Sequence, residues 1–153
     1  MKKFSLFNFH FSTRKGFTLI ELLLVLAIIG ILTSFLVANL IGAKARARDA
    51  QRKSDLRQIQ AALELYRADQ NVYPPLPSCG SQLSANGTVY MQKIPCDPLT
   101  KNSYIYALQN GGTTYSLTAC LENGNDSQID TKNGGTNNPA CTQGTYSYTV
   151  NNP

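Results

Sequence analysis

The chain has 153 residues, of which 42% are hydrophobic and 15% charged, and a formal net charge of +5. That length fits one ordinary domain plus an extra segment, because the apolar residues are distributed too unevenly for a single core. The basic balance does not mark a nucleic-acid-binding domain: Lys2, Lys3, Arg14 and Lys15 supply four of the five charges, leaving ten Lys/Arg against nine Asp/Glu elsewhere.

Residues 1–16 are basic and aromatic, with Phe4, Phe7, Phe9 and Phe11 but no core periodicity, and read as a targeting leader. Residues 17–42 form an apolar run in which Glu21 is the only ionisable residue before Lys44. As a helix, Phe17 to Ile41 extends roughly 37 Å, enough to span a bilayer. The cations ahead of it favour a cytoplasmic N-terminus and an exported remainder. A second basic group, Lys44, Arg46, Arg48, Arg52, Lys53 and Arg57, lies on the far side with only Asp49 and Asp55 against it, and pulls the orientation the other way.

No proline occurs before Pro74, so the helix need not stop at the membrane edge. Across residues 43–73, Leu56, Ile59, Leu63 and Tyr66 recur on one helical face, which predicts a single helix of about 54 residues with an amphipathic second half. It ends before the stretch NVYPPLP, where Pro74, Pro75 and Pro77 forbid continuation.

Residues 74–153 read as a small globular sheet domain rich in Gly, Asn, Thr, Ser and Tyr. Tyr104 to Leu108 and Thr113 to Leu121 flank QNGG, where Asn110 and Gly111 suit the positive φ of a hairpin turn. Tyr115, Leu117, Ala119 and Leu121 alternate onto one face, and Thr145 to Val150 repeats the pattern. The expected fold class is α+β: a long N-terminal helix packed through its Leu56/Ile59/Leu63/Tyr66 stripe on an antiparallel sheet of three or four strands. Fewer than 90 residues build the globular part, so helix and disulfides must supply much of its stability.

The four cysteines, Cys79, Cys96, Cys120 and Cys141, form no CxxC pair and fit a disulfide set in an exported domain. Three pairings are open, and the sequential one, Cys79–Cys96 with Cys120–Cys141, is favoured because it closes two short turn-rich loops. Enzyme chemistry is disfavoured by elimination: the single histidine is His10 in the leader, and neither a phosphate loop, HExxH nor GxSxG is present.

The stretch KGFTLIELLLVLAIIGIL, Lys15 to Leu32, resembles the N-terminal signature of type IV pilins and of the pseudopilins of type II secretion systems. The resemblance implies cleavage by a prepilin peptidase between Gly16 and Phe17, N-methylation of Phe17, and a registration role for Glu21. A carboxylate in hydrocarbon costs roughly 2.5–3.5 kcal/mol on insertion scales, so Glu21 calls for a partner. Cleavage would create one, because the new amine of a neighbouring subunit's Phe17 can pair with it. DAQRKSDLRQIQAALELYRADQNVYPP and MQKIPCDPLTKNSYIYAL extend the resemblance more weakly. Many pilins carry a proline near the position of Ala38 and Asn39, which leaves Asn39 and Gly42 as the weak points of this helix.

The resemblance further implies a helical homo-oligomer, an assembly ATPase, a platform protein, and a precursor held in the cytoplasmic membrane before it reaches a cell-surface filament. The expected function is a type IV pilus subunit. The alternatives are a major pseudopilin and, from another class, a single-span membrane protein whose exported domain binds a ligand or DNA.

No resident cofactor is expected, with calcium as the exception to consider. Glu122, Asn125, Asp126 and Asp130 cluster oxygen atoms in one loop, and the resemblance to major pseudopilins implies a calcium site there, although such clusters are also ordinary turns. The basic group from Lys44 to Arg57 reads first as a solvated face or a contact to acidic residues of adjacent subunits. Lipid headgroups come second and DNA last, since no aromatics interleave the cations.

Overall fold

The computed structural model describes residues 16–141 and 146–152, and the expected leader up to Lys15 lies outside them. One helix, α1 (Leu19–Gln70, 52 residues), is followed by five strands: β1 (Leu83–Ala85), β2 (Thr88–Met91), β3 (Ile105–Gln109), β4 (Thr114–Leu121) and β5 (Tyr146–Asn151). The chain divides at Asn39/Leu40 into two units, so α1 carries residues of both. It runs through Gly42 without interruption.

The second unit holds a three-stranded antiparallel sheet in the order β3-β4-β5. Its register pairs Ile105 with Thr118, Leu108 with Tyr115 and Leu117 with Val150. The β3–β4 turn uses Asn110, Gly111 and Gly112, all at positive φ, as the QNGG stretch predicts. A separate hairpin, β1–β2, turns on Asn86 and Gly87 at φ 49° and 82°. That geometry is the type I′ turn favoured by Asn-Gly, and sequence reasoning missed it.

The core joins Leu56, Ile59, Ala62 and Leu63 of α1 to Tyr115, Leu117, Ala119 and Leu121 of β4, all buried. Burying each large aliphatic or aromatic side chain contributes about 1.5–3 kcal/mol, and the stripe of α1 is therefore what seats the sheet on the helix. Tyr66, the fourth member of the expected stripe, packs at the core margin with its ring 5.1 Å from that of Tyr90 and tilted 55° to it. The helix stops at Asn71, whose left-handed φ of 62° lets its N–H reach the Arg67 carbonyl at 2.8 Å. The Tyr73 N–H then bonds the Gly112 carbonyl, tying the helix exit to the β3–β4 turn.

The disulfides are Cys79–Cys96 and Cys120–Cys141, with Cα separations of 5.0 and 5.5 Å. The second closes the long segment between β4 and β5. Strict alternation fails on β4 and β5, since Thr118 and Ser147 are buried although they face away from the helix. Asp130, from that segment, covers them by accepting the Ser147 and Thr149 hydroxyls. In the same segment a Cβ on Gly124 would clash with the outer end of the Tyr146 ring, so any other residue there would force that ring to shift.

Closing a loop of this length removes denatured-state entropy worth about 3 kcal/mol. The Cys120→Ser/Cys141→Ser double variant is therefore expected to lose about that much in urea unfolding, with α1 helicity retained by circular dichroism. An unchanged midpoint would show that other contacts hold the segment.

Candidate functional site

At the N-terminal end, Gly16, Phe17 and Thr18 are non-helical and α1 begins at Leu19. The Glu21 carboxylate accepts the Thr18 N–H at 2.8 Å and the Thr18 hydroxyl at 2.9 Å, while the Glu21 N–H donates to Thr18 Oγ1 at 3.3 Å. This is a reciprocal capping box, with Thr18 as N-cap and Glu21 three residues on. The stretch TLIE carries its S/T-x-x-E signature, which sequence reasoning passed over. Phe17 is 92% exposed, and the aliphatic side chains from Leu19 to Leu32 are exposed behind it. A Cβ on Gly16 would meet no atom of the described residues within 4 Å.

Among the described residues no helix is long and apolar enough to cross a membrane. In the sequence the apolar run continues to Ile41. Inside it, Thr33 and Ser34 donate their hydroxyls to the Ile29 and Ile31 carbonyls, which satisfies both without a partner chain.

Half of the basic group of α1, Arg48, Arg52 and Lys53, is spent inside the subunit and is not a solvated face. Arg52 is 2% exposed and binds carboxylates from three places. Its Nε donates to Asp97 at 2.6 Å, and its Nη1 donates to Asp49 at 2.8 Å and to Glu122 at 2.7 Å. Arg48 adds a forked pair with Glu122, and Lys53 binds Asp126 at 2.7 Å. Asp49, 1% exposed, also accepts the backbone N–H groups of Glu122 and Asn123, so α1 grips the end of β4 by main chain as well as by charge. Lys44, Arg46 and Arg57 remain exposed.

Asp97 belongs to the loop KIPCDP and accepts the N–H groups of Leu99 and Thr100 besides Arg52. Burial pushes its carboxyl up, but the Arg52 guanidinium and those N–H donors outweigh this and hold it down at about 2. Hydrogen bonding to Arg48, then to Arg52, holds Glu122 at about 2 against burial. Asp55 goes the other way: burial raises it, although Tyr104 donates to it at 2.6 Å. A cleft of about 380 Å³ opens beside Arg52 and Tyr104. Its Ser103 hydroxyl accepts the Cys79 N–H, and the lining pairs no nucleophile with a base.

The oxygens expected to hold calcium are not gathered at one point. Glu122 faces Arg48 and Arg52, Asp126 faces Lys53 and the Gln128 N–H, and Asp130 faces Ser147 and Thr149. Asn125 is exposed. Among the described residues no three His, Cys, Asp or Glu side chains are grouped so as to hold a metal.

Removing one partner of a buried ion network strands the others, so Arg52→Met is expected to cost about 3–5 kcal/mol in urea unfolding. The linkage sign follows from Asp97 and Glu122, both depressed from ordinary values of 3.8 and 4.5 to about 2. Their stabilisation is complete above the upper values and is lost as pH falls through the folded ones. Asp55 contributes with the opposite sign, its share being lost as pH rises through its raised folded value. Circular dichroism is expected to show acid unfolding between about pH 4.5 and 2, and Arg52→Met is expected to shift it to higher pH.

Sequence-family models match at two places: residues 11–37 fit a prokaryotic N-terminal methylation motif, and residues 39–140 fit type II secretion system protein G. Among similar proteins, the type II secretion system core protein G of Escherichia coli (strain K12) is 31% identical over 81% of this chain and 90% of its own length. That of Aeromonas hydrophila is 43% identical over 56% of this chain and 67% of its own length. The type IV wide pilus major component PilA4 of Thermus thermophilus is 36% identical over 66% of this chain and 78% of its own length. No solved structure matches the chain. The methylation motif covers Gly16, Phe17 and Glu21, and the second match covers most of the helix-on-sheet unit; the chain therefore belongs to the type II secretion system protein G family of pilins and pseudopilins.

Proposed function

We propose that the chain is the non-enzymatic structural subunit of a helical filament, made as a membrane-held precursor, cleaved after Gly16, and assembled through the apolar half of α1. The observation that carries this reading is the N-terminal geometry. The Gly16–Phe17 bond lies just outside the helix cap, next to an exposed Phe17. A bond so placed is open to a prepilin peptidase that also methylates Phe17.

In the precursor the Glu21 carboxylate is satisfied by its own Thr18. After cleavage the amine of a neighbouring subunit's Phe17 competes for it, and the pair works as a register device, since an unpaired buried charge costs far more than a buried pair gains. The exposed side chains of Leu19 to Leu32 first occupy the membrane and then the filament core. An assembly ATPase and a platform protein complete the machinery. The orientation conflict also eases, because Arg48, Arg52 and Lys53 are neutralised within the folded unit.

Between the two kinds of filament, the family match and the length of the Escherichia coli relative bring the secretion pseudopilus forward, while the Thermus relative favours a surface pilus. Loss of surface filaments on gene deletion, seen by electron microscopy, supports the pilus. Loss of protein export with no surface filament supports the pseudopilus.

Mass spectrometry of the assembled protein is expected to find a chain starting at methylated Phe17, and Gly16→Val is expected to leave the precursor uncut. Glu21→Leu is expected to be cleaved yet to lose assembly by at least an order of magnitude on immunoblots of sheared filaments, as a register pair requires. A mature chain that begins elsewhere removes the proposal.

A further inference from the structure

The acidic segment between β4 and β5 has the composition of a cation site, but its carboxylates are occupied by the chain. Asp126 uses one oxygen on Lys53 Nζ at 2.7 Å and the other on the Gln128 N–H at 2.9 Å. Asp130 receives the Thr149 N–H at 2.9 Å, the Thr149 hydroxyl at 2.8 Å and the Ser147 hydroxyl. Glu122 is shared between Arg48 and Arg52. Two carbonyls of the segment are tied down as well, that of Asp130 by the Gly135 N–H and that of Ile129 by the Lys132 N–H and the Asn133 amide. Calcium takes six to eight oxygens in one shell, so binding here would require several of these bonds to break together.

We propose that this segment is closed by a cation belonging to the chain itself, the Lys53 ammonium of α1, and that its order is independent of calcium. Lys53 and Asp126 are both largely shielded from solvent, with side-chain exposures of 18% and 14%. The ammonium supplies the positive charge at the head of the segment, Asp130 pins its middle to β5, and Cys120–Cys141 ties its ends. Because Lys53 lies on the same helix as Arg52, the segment is fixed to α1 and not merely to itself. A metal-held loop would follow the ion concentration outside the cell, whereas this one follows only the folding of α1.

The test is thermal unfolding of the full-length protein in detergent micelles, in excess calcium chloride and in EGTA. The wild type is expected to melt at the same temperature in both, and isothermal titration with calcium chloride to give no binding heat. Lys53→Gln is expected to melt several degrees lower in EGTA, while Lys53→Arg stays close to the wild type. Calcium raising the wild-type melting temperature by several degrees would overturn the proposal, as would a Lys53→Gln variant that melts with the wild type. If that variant does not fold, the wild-type comparison decides alone.

Discussion

The buried guanidinium of Arg52 is the constraint around which the globular unit is arranged. A charge 2% exposed survives only if its donors are answered, and the answers come from the preceding turn of α1, from the loop before β3 and from the end of β4. Each segment gives a carboxylate that would itself be costly to bury alone. The apolar stripe of α1 seats the sheet, but slippery aliphatic contacts fix register poorly. The ion network fixes it, because moving the helix by one turn would strand Asp97 and Glu122 together.

This network divides the labour along one helix. From Leu19 to Leu32 the aliphatic side chains of α1 are exposed, whereas from Asp49 to Leu63 it is a structural beam with buried charge and buried aliphatics. Its N-terminal cap is built from side chains of the chain itself, so the helix is complete before any neighbour arrives.

Much of the fold was legible because it is periodic. Leu56, Ile59 and Leu63 at helical spacing, the alternation from Tyr115 to Leu121, the QNGG turn and the proline stop each announce themselves within a few residues. The sequential disulfides followed from loop length. What escaped was either short or distant. The β1 and β2 strands carry too few buried residues to alternate, and only Asn86-Gly87 could have revealed them. Asp130 looked like a loop carboxylate, though it covers the outer face of β4 and β5. The pairings of Arg48, Arg52 and Lys53 leave no local pattern, so their cations read as a solvated face. Thr18 and Glu21 did have a local signature, hidden by the apolar residues between them.

The long pairings have a consequence in time. Arg52 meets Asp97 45 residues later and Glu122 70 residues later, and Lys53 meets Asp126 after 73. As the chain is made from its N-terminus, Arg52 emerges with only Asp49 beside it, and the other carboxylates that answer Arg48, Arg52 and Lys53 follow later. The loop before β3 and the acidic segment after β4 complete the network and turn that face of the helix into the interior of a folded subunit. A chain cut short before Asp126 would therefore leave the Lys53 ammonium without its carboxylate.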